Sequence, residues 1–184
     1  NMVAGSSLDI PLCMSFMVLE YALLDSQGAP LKQALLDAGI GKDVYGGFDD
    51  GICQPYFSIV AKHANERDEK RFVQIIRDTL SGLIKDGLDK KSLEAGINYY
   101  EFRFREADFS SLPKGLVYGL EVFNSWLYDD DQPFTQLKQL DIYADLKEKV
   151  HTDYFERLIQ EYMLDNTHVT HLTLKPMKGL AASR

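Results

Sequence analysis

The run from Ser26 to His63, SQGAPLKQALLDAGIGKDVYGGFDDGICQPYFSIVAKH, leaves few ways to fold. Ser26, Gln27 and Gly28 form a turn. Pro30 follows, and a first helical position suits proline because no donor is needed there. Leu31, Ala34, Leu35 and Ala38 recur at helical spacing. Gly39 and Gly41 end that helix, since glycine takes a left-handed cap at little cost. Val44 to Phe48 is an extended piece broken by Gly46 and Gly47. Asp49-Asp50-Gly51 is a turn signal. Tyr56 to His63 reads as a strand, with Phe57, Ile59 and Ala61 alternating against Tyr56, Ser58, Val60 and Lys62. The unit is therefore a short helix, a glycine loop, an edge strand and a firm strand.

Around this unit the pattern is helical. Ser7 or Asp9 caps a first helix with Pro11 in its first turn. Leu12, Phe16, Leu19 and Leu23 form one stripe, widened by Met14, Met17, Val18, Tyr21 and Leu24. A helix apolar on most sides is buried on most sides; the methionines leave a pliable binding groove as the other reading. Asn65 caps a long helix with Phe72, Ile75, Ile76, Leu80 and Leu83 on one face, ended by Gly87. Asp89 caps the next, with Leu93, Ile97, Tyr100 and Phe104 inward. Its charges at Glu94, Glu101, Arg103, Arg105 and Glu106 form a solvated face, or part of that patch lies against a bound peptide.

Phe109 to Pro113 is a loop. Leu116, Leu120, Phe123 and Leu127 then define a helix, and Trp126 near its end is expected to be buried. Asp129-Asp130-Asp131 lacks the alternating ligands and closing glutamate of a calcium loop, so it reads as a solvated turn. Short helical pieces run to Val150, with His151 at a junction. A helix from Thr152 turns Phe155, Leu158, Ile159 and Tyr162 inward. His168 to Lys175 alternates as a last strand.

Few strands and many helices make an α+β chain with a mixed, mainly antiparallel sheet covered on one face by helices. At 184 residues it suits one domain, expected over residues 2–176, able to bury about 70% of its unfolded surface. Residues 177–184 read as a cut linker, and Asn1 as a tag remnant. The net charge of −8 argues against nucleic acid and anionic membranes as partners. Cys13 and Cys53 read as buried free thiols, which fits a reducing, cytoplasmic setting. Ile10 to Leu24 is too short, and too interrupted by Pro11 and Glu20, to cross a bilayer.

Several runs together carry a resemblance. Ala29, Pro30, Leu31, Leu35, Gly39, Ile40 and Gly41 match a proline–leucine helix ended by Gly-Ile-Gly. Gly47-Phe48-Asp49 and the Phe57-Ser58 strand follow. Trp126, an acidic turn and Pro133-Phe134 come later, then Asn166-Thr167-His168 before a strand. In this order, over Leu8 to Pro176, the chain resembles the presequence-protease branch of the insulinase/pitrilysin zinc metallopeptidases. The metal motif of that superfamily is His-x-x-Glu-His on a helix, whose histidines bind zinc and whose glutamate takes a proton from the bound water. His63-Ala64-Asn65-Glu66 starts such a run, but Arg67 stands where the second histidine is needed.

The resemblance therefore implies the motif-less second domain of a chambered peptidase. Zinc is expected in an upstream domain of a longer parent. The implied partners are the parent's other domains and, within the parent, a peptide substrate. No catalytic, cofactor-binding or metal residue carries over onto this chain. The other reading is a free-standing α+β binding or assembly module.

His168 and His171 fall on opposite faces of a strand and share a metal only if that segment is helical. No Gly-x-Ser-x-Gly elbow or phosphate loop is present. Finally, Met2 to Ser7 offers too little for the strand that the resemblance places before the first helix. An exposed sheet edge, and with it self-association of the fragment, is expected.

Overall fold

The computed structural model describes residues 1–107, 111–177 and 179. The expected start of the loop at Phe109 and the tail residues 178 and 180–184 lie outside them. Among the described residues the order is β1 (Met2–Val3), α1 (Ile10–Glu20), α2 (Pro30–Asp37), β2 (Asp43–Asp49), β3 (Tyr56–Lys62), α3 (Glu69–Asp86), α4 (Lys90–Glu106), α5 (Lys114–Trp126), α6 (Leu140–Lys149) and α7 (Tyr154–Ile159). Both α1 and α7 run on into a single π turn, Tyr21–Asp25 and Gln160–Leu164.

Pro30 opens α2. Gly39 and Gly41 follow with φ of +71° and +75°, conformations that residues with a Cβ adopt at a cost. The chain is thereby turned back into β2. β2 and β3 are antiparallel with Gly46 opposite Ile59 and Phe48 opposite Phe57. Gly46 is required by packing. A Cβ there would sit 2.1 Å from the Ser58 carbonyl oxygen and 2.6 Å from Leu24 Cδ1.

The sheet is antiparallel, in the order β1-β3-β2. Phe57 lies in its central strand and is fully buried. It shares the core with Phe16, Leu19 and Leu23 of α1 and with Leu31, Leu35, Val44, Leu80, Leu93, Ile97, Phe155 and Ile159. The opposite face of the sheet is wetter. There Lys62 Nζ lies 4.5 Å from the centre of the Tyr45 ring, and Tyr56 donates to Asp49.

α1 is the spine of the molecule. Asp9 accepts the Leu12 N–H as its N-cap, and Pro11 sits in the first turn. Phe16 stacks on Phe48 at 5.2 Å between centroids, and Tyr162 meets it edge-on at 5.6 Å. Asp89 caps α4 by accepting from the amides of Lys91 and Ser92. Lys147 of α6 ties to Glu101 of α4 at 2.5 Å, and Arg105 joins the same carboxylate at 2.7 Å. These two cations, Lys147 first, hold the Glu101 carboxyl below its usual range.

The structure departs from the sequence expectations at several points. Met2–Val3 form a strand on β3, with Met2 opposite Phe57. The outer edge of β1 is covered as well. Val3 N donates to His168 O, Thr170 N donates to Asn1 O, and Met2 bridges to Val169. The unpaired edge expected there is absent, and with it that argument for self-association. His168 to Lys175, expected as a strand, supplies only this bridge. β1 is too short to continue a ladder, so Leu172 and Leu174 are left exposed, Leu174 at 85%. The segment before α3 begins as a 3₁₀ turn, Glu66–Asp68, and Asn65 donates to Asp68 instead of capping the helix. Cys53 is exposed in the loop before β3, while Cys13 is buried; both are free.

The largest departure is α5. Trp126, expected in the core, is 46% exposed. Leu116, Leu120, Phe123 and Leu127, whose spacing defined the helix, all face solvent. The inward stripe is instead Tyr118, Glu121, Val122 and Ser125. Ser125 is fully buried and donates to the Gln132 carbonyl at 2.7 Å, which locks the helix to the turn that follows it. In that turn Asp129 accepts from the Asp131 amide and from the Gln132 side chain, as a solvated acidic turn would.

Candidate functional site

The inverted zinc motif can be tested on geometry. His63 ends β3 with φ of +56° and is exposed. Glu66 lies in the 3₁₀ turn that follows and pairs with Lys175. The two are not on one turn of an α-helix, and Arg67 occupies the place of the second ligand. The residues here do not fit zinc. His151 follows α6, and His168 and His171 lie on the exposed C-terminal segment. Among the described residues no three His, Cys, Asp or Glu side chains converge as a metal set.

What the fold does bring together is a group of carboxylates. Glu20, at the end of α1, reaches over the outer edge of β2, where its Oε2 accepts the Phe48 N–H at 2.9 Å. A carboxylate thus satisfies a strand-edge amide that would otherwise stand unpaired. The Glu20 carboxyl is pushed up to about 7, by burial first, against the lowering effect of the Phe48 amide and with smaller help from the charges of Asp25 and Asp50. Asp50, in the turn after β2, is raised by burial. Glu121, on the inward stripe of α5, is raised by burial and then by Asp50. Burial also raises Tyr100, with Glu20 the next cause, and Tyr143, with Glu101 and then Glu121 after burial. Each of these three acidic side chains, from α1, the β2–β3 turn and α5, is raised by burial, and the charge of Asp50 acts on both of the others. Sequence reading missed them because they are scattered through the chain. Only Glu20 gives any signal, as an acid inside an apolar helix.

A second device lies at the other sheet edge. Asn166 donates to both Val3 O and Tyr162 O at 2.8 Å, and its Oδ1 accepts the His168 amide at 2.7 Å. One amide side chain thus joins β1, the π turn after α7 and the covering segment. The Asn-x-His run is a structural clasp here. Beside it a groove of about 270 Å³ runs between the sheet and α3, lined by Ile59, Phe72, Ile76, Met163 and Val169 with Arg77 at its rim. Cys13 has its thiol pushed up to about 12 by burial, then by Asp50 and Asp9, so it is inert as a nucleophile.

No helix among the described residues is long and apolar enough to cross a membrane. The features that hold the fold are caps, a glycine-broken hairpin and a clasp. The chain belongs to the Peptidase M16 inactive domain family, whose sequence profile matches residues 2–100. It falls in the presequence-protease-like branch of the insulinase/pitrilysin superfamily. It is 43% identical to Protein HypA of Clostridium perfringens (strain 13 / Type A) over 180 residues, 98% of this chain and 18% of that protein. It is 31% identical to Presequence protease 1, chloroplastic/mitochondrial, of Arabidopsis thaliana, over 95% of this chain and 17% of the relative. With the mitochondrial presequence protease of Danio rerio the figures are 25%, 90% and 18%. The chain thus spans less than a fifth of the length of these relatives. It is a non-catalytic domain of the M16 type.

Proposed function

We propose that this chain serves as a chamber-wall domain of a zinc-dependent peptidase that degrades short, unfolded peptides. Its work is to enclose substrate and to dock against a separate zinc-bearing domain of the same polypeptide. The observation that carries this reading is the similarity along nearly the whole chain to a short stretch of much longer proteins, two of them named presequence proteases. The misfit of His63 and Arg67 to a zinc motif agrees with it, since metal and general base then belong elsewhere. The free thiols of Cys13 and Cys53 favour a reducing, cytoplasmic location.

The test is made on the parent polypeptide encoded around this segment. Unfolded peptides should be cleaved, and a chelator should abolish cleavage. Deleting residues 2–176 should abolish it too, while the zinc content of the remainder persists. A parent that cleaves no peptide, or cleaves one regardless of chelator, sinks the reading. The 184-residue chain alone is expected to retain no zinc after dialysis and to turn over no fluorogenic peptide.

A further inference from the structure

α5 is turned inside out for a helix of a free-standing domain. Leu116, Leu120, Phe123 and Leu127 recur at i, i+4, i+7 and i+11 and face solvent, with Trp126 stacked on Phe123 beside them at 6.0 Å. The side turned toward the body of the domain carries Glu121 and the buried Ser125. An apolar stripe of this length on a surface marks an interaction site. Gly115 and Gly119 lie one turn apart along its flank, and nothing stands within 4 Å of where their Cβ atoms would be. A second helix can therefore approach the backbone closely there. At the C-terminal end the stripe runs into Asp129, Asp130 and Asp131. Asp129 already accepts from the Asp131 amide and the Gln132 side chain, and Asp130 and Asp131 are exposed. The stripe thus has a polarity: apolar and trough-like along its length, acidic at one end.

The occupant follows from chain length and charge. The relatives are more than five times as long as this segment, and similarity to them covers 98% and 95% of this chain, α5 included. The family profile, by contrast, ends at residue 100, ahead of α5. α5 is therefore common to the long relatives but lies outside the shared inactive-domain profile. We propose that the outward face of α5 is an intramolecular docking surface for a helix of the same polypeptide outside these 184 residues. That helix is apolar along one stripe and carries Lys or Arg at the end that meets Asp129–Asp131. The proposal rests on the reading that the chain works within a longer polypeptide, and it adds the face and the chemistry of its partner.

Hydrogen exchange on the intact parent tests it. Amides of residues 114–126 should exchange as slowly as those of α1. The L120E/F123E double variant should speed α5 exchange by about a hundredfold, the loss expected when a docked helix is left to open locally, while α1 is unaffected. The variant D130K/D131K, which leaves the apolar stripe and the Asp129 turn intact, should speed it by about tenfold, as expected when attraction becomes repulsion at the rim. Fast exchange of wild-type α5, or variants without effect, overturns the proposal. Protection that grows with parent concentration assigns the face to a second copy and also overturns it. Peptide cleavage by the same preparation is read separately. Protected α5 without cleavage sinks only the peptidase reading, and cleavage with unprotected α5 sinks only this one.

Discussion

α1 and α5 are both apolar helices, and they end in opposite environments. α1 lies between the sheet and a layer of helices, so Phe16, Leu19 and Leu23 are fully buried and even Ser15 is enclosed. Ser15 copes by donating to the Pro11 carbonyl at 2.6 Å and pairing with the Tyr154 hydroxyl at 3.0 Å. α5 lies on the rim. It is anchored through Ser125 and the turn after it, and its leucines point away from the domain. The difference shows that an apolar stripe records what a helix will bury, not whether the burial is completed within its own domain.

Four measurements probe the contrast between the two helices. The largest effect belongs to α1. Phe16→Ala removes a ring packed between Phe48 and Tyr162 and should cost about 3–5 kcal/mol in chemical denaturation. A loss no greater than that of a surface residue would show that α1 is not the spine.

Next is Gly46→Ala, where α1's continuation presses on β2. The added methyl meets backbone at Ser58 and the Leu24 side chain, so about 1–3 kcal/mol of overpacking is expected. Unchanged stability would mean that the hairpin and the π turn are less closely apposed.

Third is Glu20, the acid that α1 sends over the β2 edge. Its carboxyl is raised in the fold to about 7 from 4.5. The folded state therefore binds the proton more tightly. Its contribution is fully present below pH 4.5 and fades as pH rises through 7. Glu20→Gln keeps an acceptor for the Phe48 amide and removes the charge. At pH 8 it should stabilise by about 1 kcal/mol, discounted for partial solvent access. At pH 4 it should be near neutral. Denaturation curves at the two values decide it, and a variant less stable at pH 8 would show that the ionised form is the one the fold favours.

The smallest effect belongs to α5. Trp126→Ala in the 184-residue chain should stay within about 0.5 kcal/mol, as for surface positions. Native tryptophan fluorescence should be red-shifted and freely quenched. A blue-shifted, protected Trp126, or a loss of several kcal/mol, would put α5 in the core after all.

Much of the fold was legible because it rests on local chemistry. Pro30, Gly39 and Gly41 bound α2 wherever the chain goes next, since a missing donor and a positive φ are properties of single residues. Asp9 and Asp89 cap their helices for the same reason. The alternation of Phe57, Ile59 and Ala61 fixes which face of β3 is buried. The raised carboxyls of Glu20, Asp50 and Glu121 were not legible, because their burial exists only once α1, the hairpin and α5 are packed.

The same division explains the misreadings. His168 to Lys175 alternates like a strand, but a strand exists only where another has a free edge of matching length. Met2–Val3 offer an edge for one bridge. Conversely, two residues that looked too few for a strand became β1, because β3 had an edge to offer and Asn166 clasps the result. The caps, the stops and the apolar faces are set within one or two turns of chain and can be read from the residues. Which face meets which neighbour is settled only by the packed fold. Burial depends on surfaces brought in from distant parts of the chain, and the leucines of α5 are left exposed among the described residues.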